Sequence, residues 1–166
     1  MTTQIVDYAA RPFGTLSDFI QIHGDERPEK AAVVCNDVVM TYGELNQRMD
    51  RFAAALQREG LRPRDSISIC AVNSANYAIA FLGALRAGVT VAPLAPSSTA
   101  DDLVGMINDS GARLFFTDAA TYSQMESRLP ALSVQTIHLD RNDDTGFEAF
   151  LAQTGSKPAP VDISPD

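Results

Sequence analysis

Residues 66–92 decide the fold of this 166-residue chain, and their sequence is SISICAVNSANYAIAFLGALRAGVTVA. The stretch predicts a strand from Ser66 to Val72, a helix from Asn76 to Ala87 and a second strand from Val89 to Ala92, since short β-branched runs flank a helical pattern. A strand, a helix and a strand in this order form a βαβ unit, whose two strands lie parallel in one sheet.

The same alternation continues toward the carboxyl terminus. It predicts, in order, a helix over Thr99 to Asn108, a strand over Arg113 to Thr117, a helix over Tyr122 to Leu129, a strand over Val134 to His138 and a short helix over Phe147 to Leu151. Nearly continuous apolar strands need cover on both faces. We therefore expect an α/β fold with a mostly parallel sheet and helices on both faces.

Upstream of the decisive stretch, two apolar runs flank Asn36-Asp37 and predict a short antiparallel hairpin near the N-terminus, from residues 31–35 and 38–40. Thr41 and Glu44 then have the spacing of a capping box, so a long helix should begin there and end at Gly60. Thr15 and Asp18 predict the start of an earlier, short helix, which we expect to end at His23-Gly24.

These elements define the expected domain organisation. Residues 1–14 are interpreted as an N-terminal extension, and residues 15–153 as one α/β subdomain, since 166 residues suffice for one domain of ordinary size. Residues 154–166 contain glycine, serine and three prolines, which is typical of turns and linkers. We interpret them as a linker that leads out of the subdomain.

Composition excludes several classes of protein. With 45% hydrophobic and 20% charged residues the chain is typical of globular proteins. The net charge of −8, with lysine only at Lys30 and Lys157, argues against a nucleic-acid partner, because phosphate binding needs a clustered basic surface. No run approaches the roughly 20 apolar residues that span a bilayer, and the start lacks a signal peptide. We expect no membrane span and a cytoplasmic location.

Nucleotide-binding loops rich in glycine are not found in the sequence. The nearest match is Gly83 to Thr90, which has two glycines and a terminal threonine but carries Val89 where the phosphate-binding lysine belongs. Gly83 also lies inside a predicted helix. We therefore expect it to serve close helix packing.

The other candidate side chains also favour structural roles. His138 ends a predicted strand, where α/β sheets place ligands, but nothing nearby completes a catalytic set; we expect a partly buried ring bonded to the backbone. Asp101-Asp102 fits the first turn of a helix, and Asp143-Asp144 fits a solvated loop. Cys35 and Cys70 lie in apolar runs and are expected to be inert core thiols. His23 is too isolated to form a site, and we predict no catalytic, cofactor-binding or metal-binding residue in this segment.

Two segments, residues 40–67 and 83–94, resemble the first two core motifs of the adenylate-forming (AMP-binding) superfamily. Residues 40–45, MTYGEL, resemble its "threonine, tyrosine, x, glutamate, leucine" motif, and residues 60–67, GLRPRDSI, its approach to a strand. Residues 83–94, GALRAGVTVAPL, are similar to its helix-to-strand turn and "proline, leucine" exit. Together they indicate the N-terminal segment of such an enzyme, most similar to acyl-CoA synthetases of the 4-coumarate-CoA-ligase-like and fatty-acid-CoA ligase types.

The resemblance implies ATP, Mg²⁺ and CoA as cofactors of the full-length parent, and a small carboxylic acid, fatty or aromatic, as its substrate. The parent would form an acyl-adenylate and then an acyl-CoA thioester. In the family, the phosphate loop, the magnesium ligands and the catalytic lysine follow the region that matches this chain. We therefore expect the segment alone to be inactive, to bind none of these groups and to have the rest of the parent enzyme as its partner.

Two alternatives stay open. Glu44-Leu45-Asn46 is common in peptide-synthetase adenylation domains, although Thr90 and Leu94-Ala95-Pro96 depart from their pattern, so a fragment of such a domain is the second hypothesis. A stand-alone α/β docking module with no enzymatic role is the third. If the segment is separated from its parent, an uncovered apolar face should cause self-association.

Overall fold

The structure is a computed structural model that describes residues 3–11, 13–151 and 153–163. Within these ranges the α-helices are α1 (Thr3–Ala9), α2 (Leu16–Glu26), α3 (Tyr42–Arg58), α4 (Ala75–Arg86), α5 (Ala100–Asp109), α6 (Ala119–Met125) and α7 (Phe147–Phe150). The strands are β1 (Ala31–Cys35), β2 (Val38–Thr41), β3 (Ser66–Cys70), β4 (Thr90–Pro93), β5 (Ala112–Thr117) and β6 (Gln135–His138). A short 3₁₀ turn occupies Leu129–Ala131.

The main sheet is parallel throughout, with the strand order β4-β3-β5-β6. A separate two-stranded antiparallel sheet is formed by β1 and β2, whose turn places Asn36 at a φ of 51°, in the left-handed region that asparagine tolerates. Both the parallel sheet and the N-terminal hairpin confirm the fold class predicted from the sequence.

Helices cover both faces of the parallel sheet. Along β5, Leu114 and Phe116 join the larger core with Phe52 of α3, whereas Phe115 between them joins a second core with Leu103 of α5. Since neighbouring side chains of a strand point to opposite faces, α3 and α4 cover one face and α5 and α6 cover the other. The large core contains an aromatic cluster in which the Phe52 and Phe116 ring centroids are 5.3 Å apart.

One predicted helix end is wrong. Helix α2 continues through His23 and Gly24 and ends at Glu26. A Cβ on Gly24 would lie 3.0 Å from Cβ of Asn46 in α3, so the glycine permits close packing of the two helices. This packing outweighs the roughly 1 kcal/mol by which glycine disfavours a helix interior.

The other boundaries agree with the predicted elements within a few residues, except around α6. That helix begins at Ala119 rather than Tyr122 and ends at Met125, because Asp118 caps it and a 3₁₀ turn follows. The segment interpreted as an N-terminal extension contains α1, whose Ile5 is buried. Among the described residues, no helix is both long and apolar enough to cross a bilayer.

Candidate functional site at the carboxyl edge of the sheet

The order of the strands identifies one place where this sheet is suited to bind a ligand. From β3 the chain moves to β4 on one side and then returns past β3 to β5 and β6 on the other. In open α/β sheets the crevice at such a reversal, outside the carboxyl ends of the strands, is the usual ligand site. Here it lies where β3 ends at Cys70 and β5 ends at Thr117.

Asp118 occupies this crevice. Its carboxylate oxygens accept hydrogen bonds from the backbone amides of Thr121, at 2.8 Å, and of Val72, also at 2.8 Å, and the residue is only 6% exposed. Burial alone would raise the pKa of Asp118, but the bonds from Thr121 and Val72 hold it below its usual value. Asp118 is therefore ionised and committed to bonds within the chain, and it connects the end of β5 to the turn after β3.

Asp140 makes a similar connection at the end of β6. Its two carboxylate oxygens lie 3.1 and 3.0 Å from the amide nitrogen of Ala119, the first residue of α6. The ends of β3, β5 and β6 are thus joined through Asp118 and Asp140. These bonds fix the shape of the carboxyl edge.

The turn between β3 and α4 presents an apolar side chain at this edge. Ser74 caps α4 by accepting from the amide of Tyr77 at 3.1 Å, and the preceding Val72 is 64% exposed. The carbonyl of Asn73 lies 3.6 Å from Sγ of Cys35 in the hairpin. The turn is therefore anchored directly after Val72, whose side chain is exposed to solvent.

His138 lies at the carboxyl edge, as the sequence predicted, but it is more deeply buried than expected, at 3% exposure. Its ring meets the Tyr122 ring edge-on at 4.6 Å, and the Arg141 guanidinium lies 5.5 Å from the centre of Tyr122. Nδ1 has no hydrogen-bond partner in the described chain, so the expected backbone bond is not found at that atom. Burial, followed by the charge of Arg141, lowers the pKa of His138.

The two cysteines differ in how deeply they are buried. Cys70 is fully buried beside the crevice, and burial raises the pKa of its thiol to about 11, so the expectation of an inert core thiol is confirmed. Cys35 lies in the hairpin and is only half-buried. Its expected place in the core is therefore wrong, because Cys35 ends β1 beside the hairpin turn, opposite Val38, which is itself 51% exposed.

The remaining sequence candidates lie away from a common site. His23 is buried between Phe19 and Tyr42, Asp101 and Asp102 occupy the first turn of α5, and Asp143 and Asp144 are exposed in a loop. These positions confirm the helix-start role and the loop role that were predicted for the two acidic pairs. The structure brings none of them together with His138 except Asp143, whose loop follows β6.

Gly83 has the packing role predicted from the sequence. It is buried in α4, and a Cβ on it would lie 2.9 Å from the ring of Phe52 and 3.2 Å from the carbonyl oxygen of Met49 in α3. The segment from Gly83 to Thr90 is therefore a helix end and a strand start rather than a phosphate loop.

Side chains of the chain itself occupy the helix N-termini at the carboxyl edge. A helix N-terminus can bind phosphate through its free amides, but those of α4, α5 and α6 are capped by Ser74, Thr99 and Asp118 of the chain itself. Within the described ranges, three or more potential metal ligands do not converge at any point. What this edge can do is support and orient groups supplied from elsewhere.

Sequence reasoning missed Asp118, Asp140 and Ser74, which shape the edge. A local signal existed for Asp118, since aspartate three residues before Thr121 is a good helix cap. Its bond to Val72, 46 residues away, has no local signal.

Comparisons with known proteins agree with the fold and with the motifs. The sequence model described as "AMP-binding enzyme" matches residues 20–166. A component of the linear gramicidin synthase of Brevibacillus parabrevis is 37% identical over 130 residues, covering 78% of this chain and 2% of that protein. Fatty acid–[acyl-carrier-protein] ligase ScoC of Streptomyces coeruleorubidus is 28% identical over 152 residues, covering 92% of this chain and 29% of that protein.

The structural comparison extends over nearly the same region. A benzoate CoA ligase from Burkholderia xenovorans LB400 superimposes with a TM-score of 0.78 and 27% identity, covering 90% of this chain and 31% of the ligase. The chain thus spans less than a third of the length of each of these relatives. The family match over residues 20–166 and the superposition lead to the conclusion that this chain belongs to the AMP-binding enzyme family.

Proposed function

We propose that this chain is the N-terminal part of an ATP-dependent carboxylic acid–CoA ligase and is inactive by itself. The observation that carries the proposal is the family match over residues 20–166, in a chain less than a third as long as the relatives compared. Under this proposal the rest of the parent supplies ATP binding and catalysis.

The proposed reaction has two steps. A carboxylate oxygen attacks the α-phosphorus of ATP and displaces pyrophosphate, which gives an acyl-adenylate. The sulfur of a thiol then attacks the acyl carbon and displaces AMP, which gives a thioester. Mg²⁺ would be a cofactor of the parent, and catalysis of such transfers depends on positioning and charge stabilisation.

The role of this chain in that reaction would be to hold the carboxyl edge of the sheet in a fixed shape. Asp118 and Asp140 join three strand ends through bonds to backbone amides, and Val72 is presented beside them. A rigid edge suits a site whose reacting groups come from neighbouring parts of the same protein. Benzoate is the acid named for one relative and fatty acids for another, and we propose a substrate of these classes.

A specific observation favours a second candidate, the adenylation domain of a peptide synthetase. The relative with the higher identity, at 37%, is part of a gramicidin synthase. In that case the activated acid would be an amino acid, and the accepting thiol would belong to a carrier protein rather than to CoA. The cytoplasmic location expected from the sequence remains a prediction for both candidates.

Pyrophosphate exchange tests the proposal. The longer native chain, incubated with ATP, Mg²⁺ and labelled pyrophosphate, should exchange label into ATP when a fatty or aromatic acid is added. CoA should then consume the adenylate. Exchange with amino acids only, followed by transfer only to a carrier protein, would favour the second candidate, and no exchange with any acid would favour a docking module.

The isolated 166-residue chain is the matched control. It should give no exchange above background, because loss of even one charge-stabilising donor commonly costs a factor of about 100 to 1000 in rate. Calorimetric titration with ATP should show no binding in the micromolar range. Exchange by the isolated chain would contradict the claim that it lacks a nucleotide site.

A further inference from the structure

Residues 153–163, here named the strap, lie beside α3 without belonging to a helix or a strand. Gln57, in the last turn of α3, binds them twice. Its Nε2 donates to the carbonyl of Ala159 at 3.1 Å, and its Oε1 accepts from the amide of Ala159 at 2.7 Å. This pair of hydrogen bonds, here named the latch, has the form of the two bonds that residues exchange in an antiparallel sheet.

The prolines on either side concentrate the latch on Ala159. Pro158 and Pro160 have no amide proton, so among these three residues only Ala159 can donate through its backbone. A residue that precedes proline is biased toward extended conformations, and Ala159 precedes Pro160. In such a conformation its amide and carbonyl point to the same side, which suits one side-chain amide as the partner of both.

A second contact holds the strap two residues further on. Val161 lies against Gly88, where a Cβ would be 2.8 Å from Cγ1 of the valine and 3.2 Å from Cβ of Pro63. Gly88 has a φ of +69°, so glycine is favoured here by conformation as well as by space. The strap is therefore held at Ala159 by hydrogen bonds and at Val161 by packing.

Elsewhere the strap does not pack closely on the helices. A cavity of about 550 Å³ separates it from Ser17 and Asp18 of α2, Asp50 of α3 and Arg86 of α4. These groups are polar, and most residues of the strap are exposed to solvent. A segment that buries so little apolar surface opens at a low cost in free energy, so its attachment depends on the latch and on Val161.

We propose that the strap attaches to α3 and detaches from it as a unit, with Gln57 setting the balance between the two states. The consequence for catalysis rests on the proposed function. In the longer parent the strap leads into the residues after Asp166, so their position relative to the sheet depends on the latch. Gln57 is then a positioning residue that acts on the ATP site of the parent through the strap.

Hydrogen exchange at residue resolution measures the latch in the isolated chain. The Ala159 amide should be protected in the unmodified chain. Gln57→Met, which keeps a long side chain but has no amide, should speed its exchange at least about fivefold, since each net hydrogen bond contributes a factor of about 2 to 10. The Ser156 amide, which bonds to the carbonyl of Gln153 within the strap, is the internal control and should not change. An unprotected Ala159, or equal exchange in the variant, would overturn the proposal.

Gln57→Glu tests the hydrogen bonds of the latch separately from its packing. At pH 7 the carboxylate accepts from the Ala159 amide but repels the Ala159 carbonyl. Below the usual glutamate pKa of about 4.3, the carboxylic acid again offers one donor and one acceptor. Protection of Ala159, corrected for the intrinsic exchange rate, should therefore rise from pH 7 to about 4 in this variant relative to the unmodified chain.

A side chain that only filled space would not produce this pH dependence, so its absence would overturn the latch. If acid unfolds the chain, the comparison with Gln57→Met at pH 7 still decides.

The longer native chain tests the positioning role. If ATP binds only while the strap is latched, detachment lowers the competent fraction and raises the apparent KM for ATP in proportion, whereas kcat changes little. Gln57→Met should therefore raise the KM for ATP several-fold in pyrophosphate exchange. A loss of kcat at constant KM, or no change in either, would overturn the positioning role.

The proposed function and this inference fail in different ways. Absence of pyrophosphate exchange in the unmodified longer chain would sink the function, while hydrogen exchange at Ala159 in the isolated chain would still decide the latch. Pyrophosphate exchange with a KM for ATP and an Ala159 protection that Gln57→Met leaves unchanged would keep the function and overturn this inference.

Discussion

Arg86, the last residue of α4, joins three helices through its guanidinium group. Its five N–H donors reach the hydroxyl and carbonyl of Ser17 in α2, the carbonyl and side-chain oxygen of Asn46 in α3, and the carboxylate of Asp50, at 2.7 to 3.3 Å. The side chain is only 9% exposed. A guanidinium with all five donors hydrogen-bonded fixes the positions of the groups that it contacts, in addition to supplying a positive charge.

Arg86→Lys should therefore lower the free energy of unfolding by about 2–3 kcal/mol, because an ammonium group cannot satisfy the same five acceptors. Arg113→Lys is the matched control, since Arg113 is 49% exposed and a surface pair contributes less than about 1 kcal/mol. Urea unfolding of both variants measures the difference. Equal losses would show that the Arg86 network contributes no more than a surface ion pair.

Two buried histidines should make stability depend on pH. His23 is stacked on Tyr42 at 4.6 Å, and its Nδ1, like that of His138, has no partner in the described chain. Burial is the main cause that lowers the pKa of both rings. At His23 the positive charges of Arg27 and Lys30 lower the pKa further, whereas the negative charge of Glu26 acts in the opposite direction. Both imidazoles are thus neutral in the folded state at pH 7.

The direction in which stability changes with pH follows from proton uptake on unfolding. Below the unfolded value of 6.5, the unfolded chain binds more protons at these histidines than the folded chain does, so the free energy of unfolding should fall as pH drops below 6.5. Urea unfolding at several pH values between about 7.5 and 5 measures this. The double variant His23→Gln, His138→Gln should show a weaker dependence, and an equal slope would contradict the assignment.

At the scale of elements, the sequence predicted best what neighbouring residues decide. The Thr15 and Thr41 capping boxes are confirmed, each with both reciprocal bonds, because a cap connects residues three positions apart. The hairpin and the alternation of strands and helices are confirmed for a similar reason, since period and turn residues are local signals.

Long-range contacts account for what the sequence could not predict. The end of α2 depends on the fit of Gly24 to Asn46, and the shape of the carboxyl edge depends on the bond from Val72 to Asp118. No spacing in the sequence indicates that those partners meet. Within the candidate site, the sequence correctly predicted that His138 lies at the carboxyl edge of the sheet. Its contact with Tyr122 and its depth of burial depend on the tertiary fold and could not be predicted.

Helix packing at Gly83 can be tested against a second helical glycine. Gly83→Ala should destabilise the chain by about 1–3 kcal/mol, because the new methyl group would overlap Phe52 and the carbonyl of Met49. Gly105→Ala in α5 should instead stabilise it by about 0.4–1 kcal/mol, since nothing lies within 4 Å of the added Cβ. Thermal or urea unfolding gives both values, and opposite signs are the expected result.

At the scale of the whole molecule, the hairpin exposes an apolar surface unusual for a chain on its own. Val34 and Val39 are 69% and 60% exposed, and Val34 lies directly opposite Val39 across the two strands. Adjacent exposed apolar side chains of this kind mark protein contacts. The residues on the other face, such as Met40, pack on the core, so the valines cannot turn inward without reversing the register.

We therefore predict that the isolated chain forms dimers or larger species at high concentration through the hairpin. Sedimentation velocity over a range of concentrations should show them, and the double variant Val34→Thr, Val39→Thr should shift the chain toward monomer, because threonine keeps the β-branched shape but adds a hydroxyl. Val6→Thr, at a residue of α1 that is 52% exposed, is the control and should not change the assembly. A chain that stays monomeric at every concentration would contradict the prediction, and an unchanged assembly of the double variant would show that the contact lies elsewhere.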